Sequence, residues 1–265
     1  HSTMATIYAL VLIGAESVVE RVESTGEAFR GCSIGELVMR DSVCSATPSL
    51  GGGEGIEMFT SGSTPSLTEA DLFNVTAIGG RVGIVVGANQ QSSVTLNATN
   101  TISLGATADI AAESHATTAP VAVNLSHSNF ESIETEGAEA HVTSPTAAGN
   151  QTAAPVFVDE AGSDYREQAT SPTRLVGDLG AVVSGETDLA GNPRTTNCAG
   201  TVGVDIGAYQ YECPTPETVV PPKEEKKSEP LPPTGPAQPL PPKPVLSKLA
   251  LKPAKFTTTG KAPKG

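Results

Sequence analysis

Asn74-Val-Thr-Ala-Ile-Gly79 returns 26 residues later as Asn100-Thr-Ile-Ser-Leu-Gly105. Asn129-Phe-Glu-Ser-Ile133 follows after a further 29 residues, and Asp41-Ser-Val-Cys44 stands 33 residues before Asn74 as a looser member. Each asparagine copy has a small residue three places on (Ala77, Ser103, Ser132) and Ile or Leu four places on (Ile78, Leu104, Ile133). Repeats of roughly 20–50 residues belong to solenoids, propellers or arrays. No window sustains apolar residues at i, i+3, i+4, i+7 for three turns, which excludes helix-pair repeats. A propeller blade needs four longer strands. One coil of a parallel β-helix fits: short strands, polar corners, and an aliphatic residue stacked on its counterpart in the next coil.

The expected fold class is therefore all-β, a right-handed parallel β-helix of about five or six coils making up residues 1–149. Short runs such as Ile7–Ile13, Gly55–Phe59, Val82–Val86 and Val121–Leu125, separated by Gly, Asn, Ser and Thr, supply its strands. Val75, Ile84, Val94, Leu96, Ile102, Leu104, Val121, Val123 and Ile133 are the expected stacked core. Aromatics make up only 4% of residues and Trp is absent, which suits a thin aliphatic core better than a sandwich built on large rings. Asn74, Asn100 and Asn129 are expected at successive corners, where stacked amides can hydrogen-bond along the axis.

After residue 149 the period breaks. Pro155-Val-Phe-Val-Asp159, Asp164-Tyr-Arg166, Ser171-Pro172, Asp188-Leu-Ala-Gly-Asn-Pro-Arg194 and Val204-Asp-Ile-Gly-Ala-Tyr209 follow in that order. Residues 150–213 read as the closing coil and cap over the open end that any stacked architecture must cover. Within it Asp188, Asn192, Arg194, Asp205 and Tyr209 form the structural motif. Arg194 and Asp205 are expected to pair and pin the cap, worth at most about 1 kcal/mol if exposed.

In combination these motifs resemble the choice-of-anchor Q domain of bacterial surface proteins, and the resemblance implies an actinobacterial source. The likeness covers roughly residues 30–211, and departs where Ser171-Pro-Thr-Arg-Leu-Val-Gly177 replaces the family's Ser-Pro-Ala-Ile-Asp-x-Gly. It implies a right-handed parallel β-helix end with its closing cap, an exported, envelope-associated protein with varied C-terminal attachment, and no established catalysis.

Charge divides the chain in two. Residues 1–213 hold seven Arg, no Lys and 25 acidic groups, a net −18; residues 214–265 hold nine Lys, no Arg and four acids, a net +5. An acidic body repels nucleic acid, so no nucleic-acid partner is expected. Pro214–Pro244 contains twelve prolines and reads as an extended linker. Residues 245–265, opening on Val245-Leu-Ser-Lys-Leu-Ala-Leu-Lys252, read as the truncated first strand of a further β-domain. Leu231-Pro-Pro-Thr-Gly235 matches a sorting motif, but no apolar span follows it, so it reads as part of the linker. No transmembrane segment is expected.

Cys32 and Cys44 stand 12 residues apart, Cys198 and Cys213 15 apart; neither spacing is zinc-like. Two disulfides in an exported protein are preferred to reduced buried thiols, with the pairing resting on proximity alone. Each would contribute about 3 kcal/mol. His115, His127 and His141 recur without a common setting, and no metal site is assigned to them. Seven scattered Arg, no Lys, and Asp residues lying mostly in turns offer no acid/base constellation, so no catalytic, cofactor or metal residue is assigned.

The expected function is a non-catalytic secreted or cell-surface scaffold, adhesin-like and monomeric, contacting cell-wall or extracellular polysaccharide. The alternative is a carbohydrate-active β-helix enzyme, a polysaccharide lyase or glycoside hydrolase.

Overall fold

The computed structural model describes residues 8–12, 17–27, 29–47, 52–144 and 148–213. The linker 214–244 and the strand expected after it lie outside the described residues. Apart from short 3-10 turns, the described residues hold strands and loops and no α-helix.

Parallel pairing dominates, and it runs in three ladders. The first joins β1 (Tyr8–Leu12), β4 (Arg30–Ile34), the start of β6 (Glu54–Gly79), the start of β7 (Val82–Thr99), β9 (Ala108–Ser114) and β11 (Ile133–Glu136). The second joins β2 (Ser17–Glu20), the start of β5 (Leu37–Ala46), the later part of β6, the end of β7, β10 (Val121–Ser126) and β12 (Ala140–Thr143). The third joins β3 (Glu23–Ser24), the ends of β5 and β6, and β8 (Ile102–Gly105). Single bridges continue it from Ile102 to Asn129 and from Asn129 to Gln151. A residue meets its partner between 19 positions on (Val121 to Ala140) and 33 positions on (Leu37 to Ala70). The motifs beginning at Asn74 and Asn100 lie side by side, parallel, with Thr76 opposite Ile102 and Gly79 opposite Gly105.

Alternation along each strand sends one set of side chains inward. Val75, Ile84, Val94, Leu96, Val121 and Val123 are buried in one core with Met39, Ile56, Leu72 and Ile110. Of the other expected members, Ile102 is buried and Leu104 half-buried in a second cluster outside this core, and Ile133 is 39% exposed. Its strand, β11, pairs only with β9 among the described residues, so no further row covers it. Where the first ladder passes the third, the backbones close up on glycine. A Cβ on Gly55 would lie 2.6 Å from the Gly83 carbonyl oxygen and 2.7 Å from the Ile78 nitrogen, so a side chain there would force the ladders apart. Cys32 and Cys44 are disulfide-bonded across this junction, with a Cα–Cα distance of 5.5 Å, and both are fully buried.

Within the segment expected to close the stack, residues 157–211 pack against the third ladder. β13 (Phe157–Asp159) and β14 (Asp164–Glu167) form one antiparallel pair, β15 (Thr196–Cys198) and β16 (Thr201–Gly203) another. Phe157, Tyr165, Ile206 and Ala208 cluster with Val43, Ile78 and Ile102, which belong to successive rows of the third ladder. The described contacts of residues 157–211 therefore run along the flank of that ladder. The physical reason is apolar: Val43, Ile78 and Ile102 would otherwise give the third ladder an exposed hydrophobic outer face.

Candidate functional site

Between the second and third ladders the chain turns a corner at one residue per row. Arg21, Asp41, Asn74, Asn100 and His127 stack there, with φ of +51°, +49°, +56°, +54° and +44°. Asn and Asp tolerate this left-handed conformation better than most side chains. Asn100 and Asn74 are both fully buried, and Asn100 Nδ2 donates to Asn74 Oδ1 at 3.0 Å. Asn100 also bonds to the backbone of Asp178, donating to its oxygen at 3.1 Å and accepting from its nitrogen at 2.6 Å. Asn129 is not the third rung. It lies opposite Ile102, two places past the corner, and donates to Ala153 O at 2.7 Å; His127 occupies the corner instead.

A fully buried pair of charged side chains joins the corner to the closing motif. Arg194 is fully buried; its Nη2 donates to the carbonyl oxygens of Asp205 (3.1 Å) and Gly207 (2.8 Å), and its Nε lies 3.3 Å from Asp41 Oδ1. The expected Arg194–Asp205 side-chain pair is thus corrected. The Asp205 carboxylate accepts from Leu175 N (2.7 Å) and Tyr211 N (2.6 Å), so it is already occupied. Glu186 bridges outward, accepting from Arg40 Nη1 at 3.2 Å and Asn74 Nδ2 at 3.3 Å. Burial pushes the Asp41 carboxyl up to about 8, against the pull of Arg194 and with the adjacent Glu186 raising it further. Among the described residues no N–H or O–H donates to either Asp41 oxygen.

The closing motif is held by its own bonds. Asp188 accepts from Asn192 N at 2.7 Å and Gln210 N at 2.8 Å, pinning the Gly-Asn-Pro turn to the last strand-like segment. Tyr209 is half-buried, and burial, with Glu23 nearby, pushes its hydroxyl up to about 12. Tyr165 is the buried one, its hydroxyl 2.7 Å from Ser45 Oγ. Cys198 and Cys213 are disulfide-bonded, with a Cα–Cα distance of 5.5 Å.

The surfaces facing solvent differ. On the second ladder, Asn97 Nδ2 donates to Asp71 Oδ1 (2.9 Å) and Glu69 Oε1 (3.2 Å), and Asn124 Nδ2 donates to Asn97 Oδ1 (2.9 Å). That row binds itself. On the first ladder, Phe59 is 46% exposed although it sits in mid-strand. Its partner in the next row is Gly87, and a Cβ there would meet the Phe59 ring at 2.6 Å, so the ring rests on the glycine. His115 lies beyond it, ring centroids 5.9 Å apart, with Nε2 3.4 Å from Glu113 Oε2. Glu113 is opposite Gly87 and Glu136 opposite Glu113, so ring and carboxylates form one line across the rows. A depression of about 360 Å³ adjoins the line, bounded by Ala111, Glu113, Glu134 and Glu136. Earlier on the same face Glu57 pairs with Arg30 at 2.6 Å; burial raises its carboxyl and Arg30 opposes the rise.

A second depression, about 380 Å³, is lined by Asp109, Glu131 and Glu160. Asp109 is spent there on backbone: its oxygens accept from Gly105 N (2.9 Å), Glu131 N (2.6 Å) and Ser132 N (3.1 Å). The three histidines are not brought together: His115 is on the first ladder's outer face, His127 at the corner and His141 on β12. Among the described residues no group of three or more His, Cys, Asp or Glu side chains is placed to hold a metal ion, and no helix is long and apolar enough to cross a membrane. Phe59 and Gly87 were within reach of sequence reasoning only through the register, since a 28-residue offset is what sets a lone glycine opposite a lone ring. No protein-family model, curated protein or solved structure matches the chain.

Proposed function

We propose that the chain is a non-catalytic, monomeric scaffold of the cell surface or extracellular space, built as a right-handed parallel β-helix. Its first-ladder face contacts cell-wall or extracellular polysaccharide around Phe59. The observation that carries the reading is the exposed Phe59 ring seated on Gly87, in line with Glu113 and Glu136. An exposed ring offers the apolar face of a sugar a place to stack, and carboxylates beside it accept hydroxyl hydrogens. The row of glutamates disfavours polyanionic chains, so neutral or amino-bearing glycans are the expected class. Two disulfides support an oxidising compartment. The resemblance to choice-of-anchor Q proteins adds the bacterial envelope as the setting. The three ladders, with offsets near one coil's length, support the β-helix. The enzymatic alternative gains no support from the groove at Asp109, whose carboxylate is committed to backbone.

Binding of neutral, amino-bearing and uronic-acid oligosaccharides, followed by NMR chemical-shift changes in wild type and Phe59→Ala, tests this. The expected result is binding of the first two classes with loss of about 1 kcal/mol or more on removing the ring. Equal binding by Phe59→Ala, or product formation from any of the sugars, would overturn the reading.

A further inference from the structure

The two disulfides sit in opposite environments. Cys32 and Cys44 are fully buried in the main core. Cys198 and Cys213 are partly exposed, and Cys213 lines a depression of about 490 Å³ together with Thr195, Thr196, Gln210 and Glu212. One guanidinium lies against both of these sulfurs: Arg174 Nη2 is 3.5 Å from Cys213 Sγ and 3.7 Å from Cys198 Sγ. The guanidinium is fixed there on two sides. It stacks over the Tyr211 ring, 3.7 Å from the centroid, and its Nη1 donates to the carbonyl oxygen of Ala169. A carbonyl and an aromatic face hold the cation in place, and the Glu167 and Asp205 carboxyls also feel its charge.

From this geometry we propose that Cys198–Cys213 is a thiol-exchange site, open to small-molecule thiols in the native protein, while Cys32–Cys44 is inert. A thiol that has lost its proton to solvent enters through the depression and attacks Cys213 Sγ. A bond forms between the incoming sulfur and Cys213, and the Cys198–Cys213 bond breaks with its electron pair leaving on Cys198. The step is redox-neutral: one disulfide is exchanged for another, and the product is a mixed disulfide at Cys213 with a Cys198 thiolate beside Arg174. A second thiolate completes reduction, leaving as the reagent's own disulfide and freeing Cys213. A neighbouring cation lowers a thiol's pKa, and a lower leaving-group pKa speeds departure, so Arg174 favours the exchange in both respects. Opening the bond releases the staple on a stretch that carries β16 and the Val204–Tyr209 segment.

The test uses the full chain under native conditions with reduced glutathione, quenched by acid and mapped by peptide mass spectrometry. The glutathione adduct is expected on Cys213, with alkylation of Cys32 and Cys44 only after denaturant is added. Arg174→Gln should slow opening by about threefold to tenfold, and Arg174→Lys, which keeps a cation, should restore most of the rate. Circular dichroism of both variants checks that the fold is kept; if Arg174→Gln loosens it, the wild-type order of opening and the site of the adduct still decide. Opening of Cys32–Cys44 as fast as Cys198–Cys213 would overturn the proposal. So would an adduct confined to Cys198, or an unslowed Arg174→Gln of native fold.

Discussion

Arg194→Met removes a fully buried cation held between the corner stack and the closing segment, and its cost should depend on pH. The substitution keeps a long side chain but strands the carbonyl oxygens of Asp205 and Gly207, which accept from Nη2 at 3.1 and 2.8 Å. Charge-assisted bonds of this kind contribute about 1.5–3 kcal/mol each, so the two together lose about 3–6 kcal/mol before Asp41 is considered. That is a large part of a stability typically about 5–15 kcal/mol. Asp41 then adds a pH-dependent part. Its carboxyl titrates at about 8 in the fold against an ordinary 3.8, with Arg194 holding that value down. At pH 6 Asp41 is protonated with or without Arg194, and the loss is that of the carbonyl bonds. At pH 9 the wild type carries an ionised Asp41 paired with Arg194, whereas the variant must either bury that charge alone or keep the proton at about 1.4 kcal/mol per pKa unit. The difference in unfolding free energy between wild type and variant should therefore be larger at pH 9 than at pH 6. Urea unfolding followed by tyrosine fluorescence and circular dichroism measures it, the chain having four Tyr and no Trp. In an Asp41→Asn background the pH dependence of the Arg194→Met cost should vanish. A cost below about 1 kcal/mol, or one equal at the two pH values, would refute the account of the cluster.

Asn100→Ala should cost about 3 kcal/mol or more, since it removes the bond to Asn74, both bonds to Asp178 and a residue type suited to φ +54°. Asn129→Ala, which loses its bond to Ala153, should cost about 1 kcal/mol; equal urea midpoints for the two variants would contradict the corner assignment. Burial pushes Glu167 up to about 7 from 4.5, so the folded state holds that proton more tightly. Its contribution to stability is complete below pH 4.5 and is lost as pH rises through 7, with a slope of at most about 1.4 kcal/mol per pH unit between. Glu167→Gln should flatten that part of the stability–pH curve, and a slope unchanged by the substitution would show that another group sets it.

The parallel pairing was legible because Asn74 and Asn100 occupy the same corner, and the apolar positions after them fall on the same ladder. The third copy misled because the third ladder narrows to a single bridge at that row. Ile133, which completed the match at Asn129, belongs to the first ladder. The better signal was one strand earlier. Val94-x-Leu96-x-Ala98 and Val121-x-Val123-x-Leu125 align at 27 residues, and that offset sets His127 opposite Asn100. Asp41 was visible as a loose repeat member, but its pairing with Arg194 joins residues that no local pattern connects. The same holds for the place of residues 157–211. Apolar Val43, Ile78 and Ile102 read as strand residues in sequence; that their outer face needs a cover appears only once three rows are stacked.

The three ladders leave different amounts of free interaction capacity, and this is what singles out the first. The outer face of the third is covered by Phe157, Tyr165, Ile206 and Ala208. On the second, Asp71, Asn97 and Asn124 already hydrogen-bond to one another from row to row, so a ligand must break those bonds to make its own. Around Phe59 the balance is reversed. The ring has Gly87 beneath it and remains 46% exposed, so covering it removes apolar surface from water without breaking a hydrogen bond. Glu134 and Glu136 are exposed further along the same face, on β11, and lose little by exchanging water for a partner's hydroxyls. A partner that is apolar on one side and hydroxylated at its rim gains on both counts, and a saccharide ring has that form.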